Sequence, residues 1–393
     1  MTYYIVNGMG NCTDSNLILP NEHNGKPVKA VAENAFRDYT GIQSLVLNDN
    51  LMSIGEYAFA GCTNLKSLTL NSELVSMEYS FDKCTALTEI HIPTFYIMKQ
   101  EIVRNFPCKY DLYLNDSLVT EISEMNNGWW ITMDSYFTNC KSLKRAVIRD
   151  SYVNPSKFSN CTSLTDVLIT DYVERIGDNA FTDCPALTLY DNAYYLGDEN
   201  NKYKWLISAK DWQVTDCTMH NDCKFIADKA FLNNNNNLKN ITFSDNLKGI
   251  SYLCFYECSS LTSVSMGAGV EVIGSGAFKN CTKLKDITFS DNITTICNQS
   301  FWGCHALTEI ELPKKLTEIY EQAFIFCKNL KKVTIKNKPR RIGVQAFAFS
   351  ALQSIEFAGT ISQWNAIEKG NRWNEDTWFD SVVSCSDGTQ SLH

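Results

Sequence analysis

The chain has no apolar run long enough to cross a membrane as a helix, which needs about 20 consecutive apolar residues. Its first residues, 1–8, contain neither the basic stretch nor the apolar stretch of a secretory signal. Histidine is scarce, with five in 393 residues, and the Gly-x-Ser-x-Gly turn of a hydrolase nucleophile is missing. These absences argue against membrane insertion and against a serine-hydrolase site.

Positive charge is also in short supply. Lysine and arginine number 35 against 44 aspartates and glutamates, which leaves a net charge of −9. Binding to a phosphate backbone needs basic side chains concentrated on one face. The short basic cluster at 336–341 fits a solvated turn. We therefore expect no nucleic-acid partner.

A 23-residue pattern fills most of the chain. An apolar residue stands five positions before a phenylalanine, a leucine follows it in most copies, and two alternating apolar residues come next. The phenylalanines of this pattern are Phe36, Phe59, Phe81, Phe137, Phe158, Phe181, Phe231, Phe255, Phe278, Phe301, Phe324 and Phe347. Alternation over so few residues indicates a short strand with one buried face. A constant short period indicates a solenoid, in which each coil packs on its neighbours.

Two interruptions break the pattern. Phe81 and Phe137 are 56 residues apart, which leaves room for one degenerate unit. Phe181 and Phe231 are 50 residues apart, which leaves room for an insertion. Alternating residues in 190–197 and again from 204 predict that this insertion is a β-hairpin that leaves the solenoid.

Sixteen cysteines at first suggest a disulfide or metal protein. Most of them, however, occupy one position of the repeat, three residues after the phenylalanine. These are Cys62, Cys84, Cys140, Cys161, Cys184, Cys258, Cys281, Cys304 and Cys327. We expect them to stack as small buried hydrophobes with free thiols, a pattern that suits a reducing compartment.

The unit Ile-x-x-x-Ala-Phe-x-x-Cys-x-x-Leu-x-x-Ile-x-Ile resembles the BspA-like class of leucine-rich repeats. Residues 12–28 resemble the entry of that class into its first repeat, and residues 357–370 with 383–388 resemble its C-terminal closure. The resemblance implies a leucine-rich-repeat solenoid, an α/β-type horseshoe or superhelix. Short parallel strands would form its concave side, with turns and short helical segments on the other side. The class supplies no catalytic residue.

The repeat pattern predicts a single domain over residues 1–393. Residues 1–27 would form an N-terminal cap, and residues 28–188 would form repeats that include a degenerate segment at 95–130. An insertion hairpin would follow at 189–224, then further repeats at 225–357. Residues 358–393 would close the C-terminal end.

Departures from the repeat are the best candidates for a binding site, because every coil needs the same core. Aromatic residues concentrate in the insertion and in the irregular segment, and tyrosine and tryptophan give large contact areas at low entropic cost. Two outward carboxylates on one predicted concave strand could assist. The predicted contacts are Trp129, Trp130, Tyr194, Tyr195, Trp205, Glu309 and Glu311. The alternative is that the aromatic residues pack the insertion onto the solenoid.

Only one group has metal-ligand spacing. Cys217, His220 and Cys223 form Cys-x₂-His-x₂-Cys, but a closed zinc site needs a fourth ligand. On a strand, positions three apart point to opposite faces. We therefore expect a structural role for these residues, and no metal or other cofactor.

The sequence predicts a monomeric, non-catalytic module that binds a protein or another surface macromolecule. Two alternatives stay open: a structural spacer without a specific ligand, and a metal-dependent hydrolase centred on the insertion. The resemblance implies an adhesin-like bacterial protein that is secreted or at the cell surface. The missing signal and the thiol pattern favour the cytoplasm, so both locations stay open.

Overall fold

A computed structural model describes residues 3–71, 73–77, 79–92, 111–114, 117–118, 121–122, 137–148, 151–232, 236–378 and 380–392. The chain forms two compact units, Met1–Leu187 and Thr188–His393. The single-domain organisation and its internal boundaries stay a prediction.

The first unit is built from short strands. In chain order they are β1 (Tyr4–Val6), β2 (Asn16–Ile18), β3 (Glu22–His23), β4 (Lys26–Val31), β5 (Ser44–Val46), β6 (Ser53–Ile54), β7 (Ser67–Thr69), β8 (Glu89–Ile92), β9 (Asp111–Leu114), β10 (Ser117–Leu118), β11 (Glu121–Ile122), β12 (Arg145–Ile148), β13 (Tyr152–Val153), β14 (Asp166–Ile169) and β15 (Arg175–Ile176). Parallel pairing gives the orders β2-β5-β7-β8-β9, β11-β12-β14, β1-β4-β6 and β13-β15. Two antiparallel strands, β3 and β10, pair with β4 and β9.

The second unit begins with the insertion and continues with the most regular coils. Its strands are β16 (Thr188–Tyr190), β17 (Ala193–Leu196), β18 (Trp205–Ala209), β19 (Asp216–Thr218), β20 (Phe225–Ile226), β21 (Asn240–Thr242), β22 (Gly249–Ile250), β23 (Ser263–Ser265), β24 (Val272–Ile273), β25 (Asp286–Thr288), β26 (Thr295–Ile296), β27 (Glu309–Leu312), β28 (Glu318–Ile319), β29 (Lys332–Ile335), β30 (Arg341–Ile342), β31 (Ser354–Phe357), β32 (Glu368–Lys369), β33 (Val382–Cys385) and β34 (Gly388–Ser391). One helix, α1 (Ile361–Asn365), lies near the end.

Each regular coil of the second unit contributes one strand to each of two parallel columns. The longer strands pair in the orders β19-β21-β23-β25 and β27-β29-β31-β33, and β34 closes the second order antiparallel to β33. The two-residue strands pair in the order β22-β24-β26-β28-β30-β32. The solenoid that the repeat predicts is therefore confirmed.

The repeat phenylalanines form stacked columns inside each unit. Phe301 is fully buried, and its ring centroid lies 5.3 Å from that of Phe278 and 5.1 Å from that of Phe324. The rings are nearly parallel, with interplanar angles of 8° and 3°. The column ends at Phe347, whose ring meets Trp373 edge-on at 6.3 Å. The constant 23-residue step is what places each ring over the one before it.

The cysteine that follows each phenylalanine has a defined hydrogen-bonding partner. The Cys304 thiol donates to the backbone carbonyl of Phe278 in the preceding coil at 3.2 Å, and Cys327 donates to Phe301 at 3.2 Å. The same bond is made by Cys62, Cys84, Cys161, Cys184 and Cys281. The phenylalanine carbonyl also accepts a backbone N–H bond within its own coil, as Phe278 does from Cys281 at 3.1 Å, so the thiol adds a second, weaker donor from the next coil.

The side of the coils opposite the longer strands differs from the expectation of short helical segments. Across the described ranges the only helix is α1, and the coils carry tight turns there instead. The backbone explains this, because two residues in a coil adopt positive φ, such as Gln322 at 59° and Phe326 at 58°. A left-handed residue ends a right-handed helical run. No helix in the described part of the chain has the length and apolarity needed to cross a membrane.

Candidate functional site

The insertion is a hairpin that joins the solenoid rather than leaving it. Strand β17 pairs antiparallel with β16 and β18, and β18 then pairs parallel with β20 of the first regular coil. Ala193, Tyr195 and Leu206 belong to the same apolar core as the repeat phenylalanines of the second unit. The predicted hairpin is present, but the expectation that it projects from the solenoid is corrected, because its apolar face completes the core.

Two predicted contacts are core residues. Tyr195 is fully buried and Trp205 is 1% exposed, with its ring stacked on Phe225 at 4.7 Å. Burial of this kind leaves no surface for a partner, so direct contact by Tyr195 and Trp205 is corrected to packing. Tyr194 is half-buried and stays a predicted contact. Trp129 and Trp130 lie outside the described residues.

Four rings meet on one side of the hairpin and form what we call the tyrosine–histidine cluster: Tyr190, Tyr195, Tyr203 and His220. The rings of Tyr203 and His220 stack at 3.8 Å with an interplanar angle of 15°. Tyr190 meets His220 edge-on at 4.7 Å and Tyr203 at 5.7 Å. Tyr190 is 38% exposed, so the cluster has an accessible outer edge and a buried base formed by Tyr195.

Hydrogen bonds fix this cluster in place. The backbone N–H of His220 donates to the Tyr195 hydroxyl oxygen at 3.3 Å, and the backbone N–H of Asp222 donates to His220 Nδ1 at 3.1 Å. A neutral His220 ring therefore carries its proton on Nε2. Burial raises the pKa of Tyr195 well above its ordinary value, so this hydroxyl stays protonated.

The hairpin turn covers the edge of the neighbouring sheet. The carboxylate of Asp191 accepts from the backbone N–H of Thr218 at 2.7 Å, and the side chain of Asn192 donates to the carbonyl of Asp216 at 2.8 Å. Both partners lie on β19, the first strand of its sheet. An exposed strand edge is a site of unwanted pairing, and these two side chains occupy it. They also tie the turn that follows Tyr190 to β19, whose outward side chains are Asp216 and Thr218.

The outward residues of the longer strands form a polar surface, here called the strand face. Side chains alternate along each strand, as in β23, where Val264 is buried between exposed Ser263 and Ser265. The outward positions of the second unit are Asp216, Thr218, Asn240, Thr242, Ser263, Ser265, Asp286, Thr288, Glu309, Glu311, Lys332, Thr334, Ser354 and Glu356. Small and acidic residues predominate, and hydrogen-bonding groups outnumber apolar ones.

Glu309 and Glu311 differ in their surroundings on this face. Glu311 pairs with Lys336, whereas Lys332 pairs with Glu356 on the strand that lies on its other side from Glu309, with 2.6 Å between Nζ and Oε1. Hydrogen bonding to Glu356 raises the pKa of Lys332, and the same bond lowers the pKa of Glu356. The Glu309 side chain is exposed and, within the described residues, makes no hydrogen bond or ion pair, although its charge acts on Lys332. Its carboxylate is thus available to a partner.

The possible metal ligands Cys217 and Cys223 lie near each other, but they do not form a three-ligand group with His220. Cys217 and Cys223 are buried, and burial raises the pKa of both thiols to about 12. A thiol that resists ionisation is a poor zinc ligand, because the thiolate binds the metal. His220 stacks on Tyr203, and no group of three metal-ligating side chains exists among the residues that the structure describes.

Comparison with known proteins identifies the family. The model of the BspA type leucine rich repeat region matches residues 10–126, 131–192, 209–290 and 248–367, and the chain belongs to that family. No curated protein sequence matches it.

Several solved structures are similar to this chain. One is a leucine rich cell surface protein from Faecalibacterium prausnitzii, with 24% identity, 91% of each chain covered and a TM-score of 0.42. A leucine-rich repeat protein from Bacteroides ovatus has 18% identity over 94% of this chain and 91% of that one, with a TM-score of 0.43. The pneumococcal vaccine antigen PcpA has 18% identity over 96% and 90%, with a TM-score of 0.38.

Proposed function

We propose that the chain is a non-catalytic module that binds a protein through the strand face of its second unit. The tyrosine–histidine cluster forms one end of the docking surface. The observation that carries the proposal is the alternation of buried and exposed side chains along each strand. Apolar residues such as Ile310 pack inward, whereas Glu309 and Glu311 are exposed and have no packing role.

The two parts of this surface supply complementary chemistry. Tyr190 offers a partly exposed ring, and a ring of this kind can anchor a partner by burying a large area. The polar face offers carboxylates that favour a partner carrying basic side chains. The Tyr194 ring and the unpaired Glu309 are the two sequence-predicted contacts that fit this arrangement best.

A charge-reversal pair tests the proposal. We would immobilise the wild-type chain, the double variant Glu309→Lys/Glu311→Lys and the matched control Glu271→Lys, and expose each to surface and host protein extracts. Glu271 is similarly exposed and pairs with Lys248, but it lies outside the longer strands. We expect a protein that binds the wild type and the control saturably and is lost from the double variant. Equal retention by all three chains contradicts the proposed surface, and no retained protein favours the structural-spacer alternative.

A further inference from the structure

A cavity of about 550 Å³ opens on the turn side of the second unit, away from the strand face. The residue two positions before each repeat phenylalanine of the second unit has positive φ, and this position holds Leu253, Gly276 and Gln299 in three successive coils. Gly276 has a φ of 63° and no side chain, and the end of the Leu253 side chain lies where a Cβ of Gly276 would stand. The cavity opens beside these three positions.

Two kinds of side chain line the cavity on opposite sides. Tyr252 and Tyr256 stand on one side, and Tyr252 is 42% exposed. Asn298 and Gln299 stand on the other side. An aromatic wall facing amide groups within a few hundred Å³ is the arrangement of a small-ligand site, in which rings supply contact area and polar groups set orientation.

Among the described residues, the lining of the cavity includes two lysines, Lys229 and Lys279, and no acidic residue. The hydroxyl of Tyr256 donates a hydrogen bond to the nearby Glu257 carboxylate. The Lys279 Nζ atom lies 3.5 Å from the ring centroid of Trp302 and donates to Gln299 Oε1 at 2.9 Å. These two contacts set the position of the ammonium before any ligand arrives. Burial lowers the pKa of Lys279, although the charge of Glu257 opposes this shift.

A row of hydrogen-bonded side-chain amides extends from Gln299, on the polar side of the cavity, into the following coils. Gln299 donates to Gln322 at 2.8 Å, Gln322 donates to Gln345 at 3.0 Å, and Gln345 donates to the Glu375 carboxylate at 3.0 Å. Every bond runs in the same direction, from the lysine ammonium towards the glutamate carboxylate. Such a network leaves Gln299 little freedom to turn, so the wall is preorganised.

Two further polar groups are available. The Ser275 hydroxyl and the Asn298 side-chain amide line the cavity, and neither has a hydrogen-bond partner within the part of the chain that the structure describes. We propose that this cavity binds an acidic sugar. A hexuronate-sized ring packs against Tyr252 and Tyr256, its hydroxyls bond to Ser275 and Asn298, and its carboxylate pairs with Lys279. The bond between the carboxylate and the Lys279 ammonium is charge-assisted, and such bonds are stronger than the neutral hydrogen bonds of the hydroxyls.

Titration with D-glucuronate and with D-glucose tests the site on the whole chain. We expect saturable D-glucuronate binding with a dissociation constant on the order of 1 mM, the range for a ligand of this size. D-glucose should bind at least about tenfold more weakly, because it cannot use the charge of Lys279. Absence of saturable D-glucuronate binding, or equal affinity for the two sugars, overturns the proposal.

Two variants localise the binding. Lys279→Met keeps the apolar stem over Trp302 and should weaken D-glucuronate about tenfold. Tyr252→Ala removes a ring that is 42% exposed and should weaken both sugars. The control Lys314→Met changes an exposed lysine outside the cavity and should bind like the wild type. Unchanged D-glucuronate affinity in either cavity variant contradicts the site.

This site is independent of the strand face. The double variant Glu309→Lys/Glu311→Lys should bind D-glucuronate like the wild type, so failure of one proposal leaves the other standing.

Discussion

The regular coils and the insertion use aromatic residues in different ways. In the coils, Phe278, Phe301 and Phe324 are each fully buried and each stack on the next. In the insertion, Tyr195 is buried while Tyr190 is 38% exposed, although both belong to one cluster. Repetition thus commits the ring at the repeat phenylalanine position to the core, whereas an interruption of the repeat leaves some rings for other contacts.

The cysteines show the same contrast. In the coils, the Cys304 and Cys327 thiols donate to a phenylalanine carbonyl of the preceding coil. In the insertion region, Cys217 is buried without such a bond to a repeat phenylalanine, and Cys223 donates to the carbonyl of Phe225 two residues away. Cysteine is a catalytic or metal-binding residue in many proteins, but these cysteines have structural roles. The spacing of cysteines in the sequence does not distinguish the two kinds of role.

The largest expected effect comes from breaking the phenylalanine column. Phe301→Ala should lower the free energy of unfolding by about 4 kcal/mol, because it leaves a cavity between two stacked rings. Phe349→Ala is the matched control, since Phe349 stacks on Phe326 at 5.0 Å but is only half-buried. Urea unfolding measures both. Equal losses of unfolding free energy in the two variants would show that the buried column contributes no more to stability than the half-buried pair of rings.

In the insertion, a carboxylate holds the loop between β17 and β18. Asp198 accepts from Lys204 at 2.9 Å and from the backbone N–H groups of Asn200 and Asn201 at 3.0 and 2.9 Å. Asp198→Asn should cost about 2 kcal/mol, because it removes these charge-assisted bonds and leaves the Lys204 ammonium buried. Asp222→Asn, at a more exposed carboxylate, is the control.

The same carboxylate predicts a pH dependence. Although burial opposes it, hydrogen bonding to Lys204 and to the loop N–H groups lowers the pKa of Asp198. A lowered folded-state pKa stabilises the fold above the unfolded pKa of about 4, and this stabilisation is lost as the pH falls through the folded value. Melting curves between pH 6 and pH 3, values chosen to span about that range, should show an acid-induced loss in the wild type that is smaller in Asp198→Asn. Parallel curves for the two proteins would contradict this assignment.

A smaller effect is expected from the cysteine position. Cys304→Ala should cost about 1 kcal/mol, because it removes a small buried volume and one of the two donors to the Phe278 carbonyl. Cys297→Ala, at a half-buried cysteine outside this position, should cost less. Calorimetric melting of the two variants compares them directly, and a Cys304 variant as stable as the wild type would remove the proposed role of the thiol.

Thiol reactivity should separate the two classes of cysteine without changing stability. Burial raises the pKa of Cys327 to about 12, so almost none of this thiol is ionised at neutral pH. A thiol reagent should therefore modify half-buried Cys297 and Cys385 in the native protein long before Cys327. Unfolding without a reductant should release the repeat thiols. Rapid native labelling of Cys327, or its absence from the unfolded thiol count, would contradict the assignment.

The interior of the repeats could be predicted from the sequence because the same apolar pattern recurs in each coil. A 23-residue step fixes which rings stack, as for Phe278 and Phe301. The insertion was predicted as a hairpin, but not which ring would face inward. Strand β17 shifts register between Tyr194 and Tyr195, so simple alternation fails at that point. Such a bulge depends on the partner strand, which the local sequence does not reveal.

Other features were visible in the sequence but had no evident meaning there. Gln299, Gln322 and Gln345 recur at the 23-residue period, yet only the fold shows that their side chains form one directed chain. Gly276 interrupts the glutamine series at that position, and the cavity opens beside it. Periodicity predicts which residues are equivalent, whereas the contacts between coils determine what equivalent residues do.

The most direct test of the division between core and surface measures affinity and melting in the same variants. With a protein captured on the wild-type chain, Tyr190→Ala and Glu309→Lys should each weaken binding about tenfold, because each removes an outward contact. Both variants should keep the melting temperature of the wild type, whereas Tyr195→Ala should lower it. Unchanged affinity in Tyr190→Ala and Glu309→Lys, or a fall in their melting temperatures as large as that of Tyr195→Ala, would contradict the account.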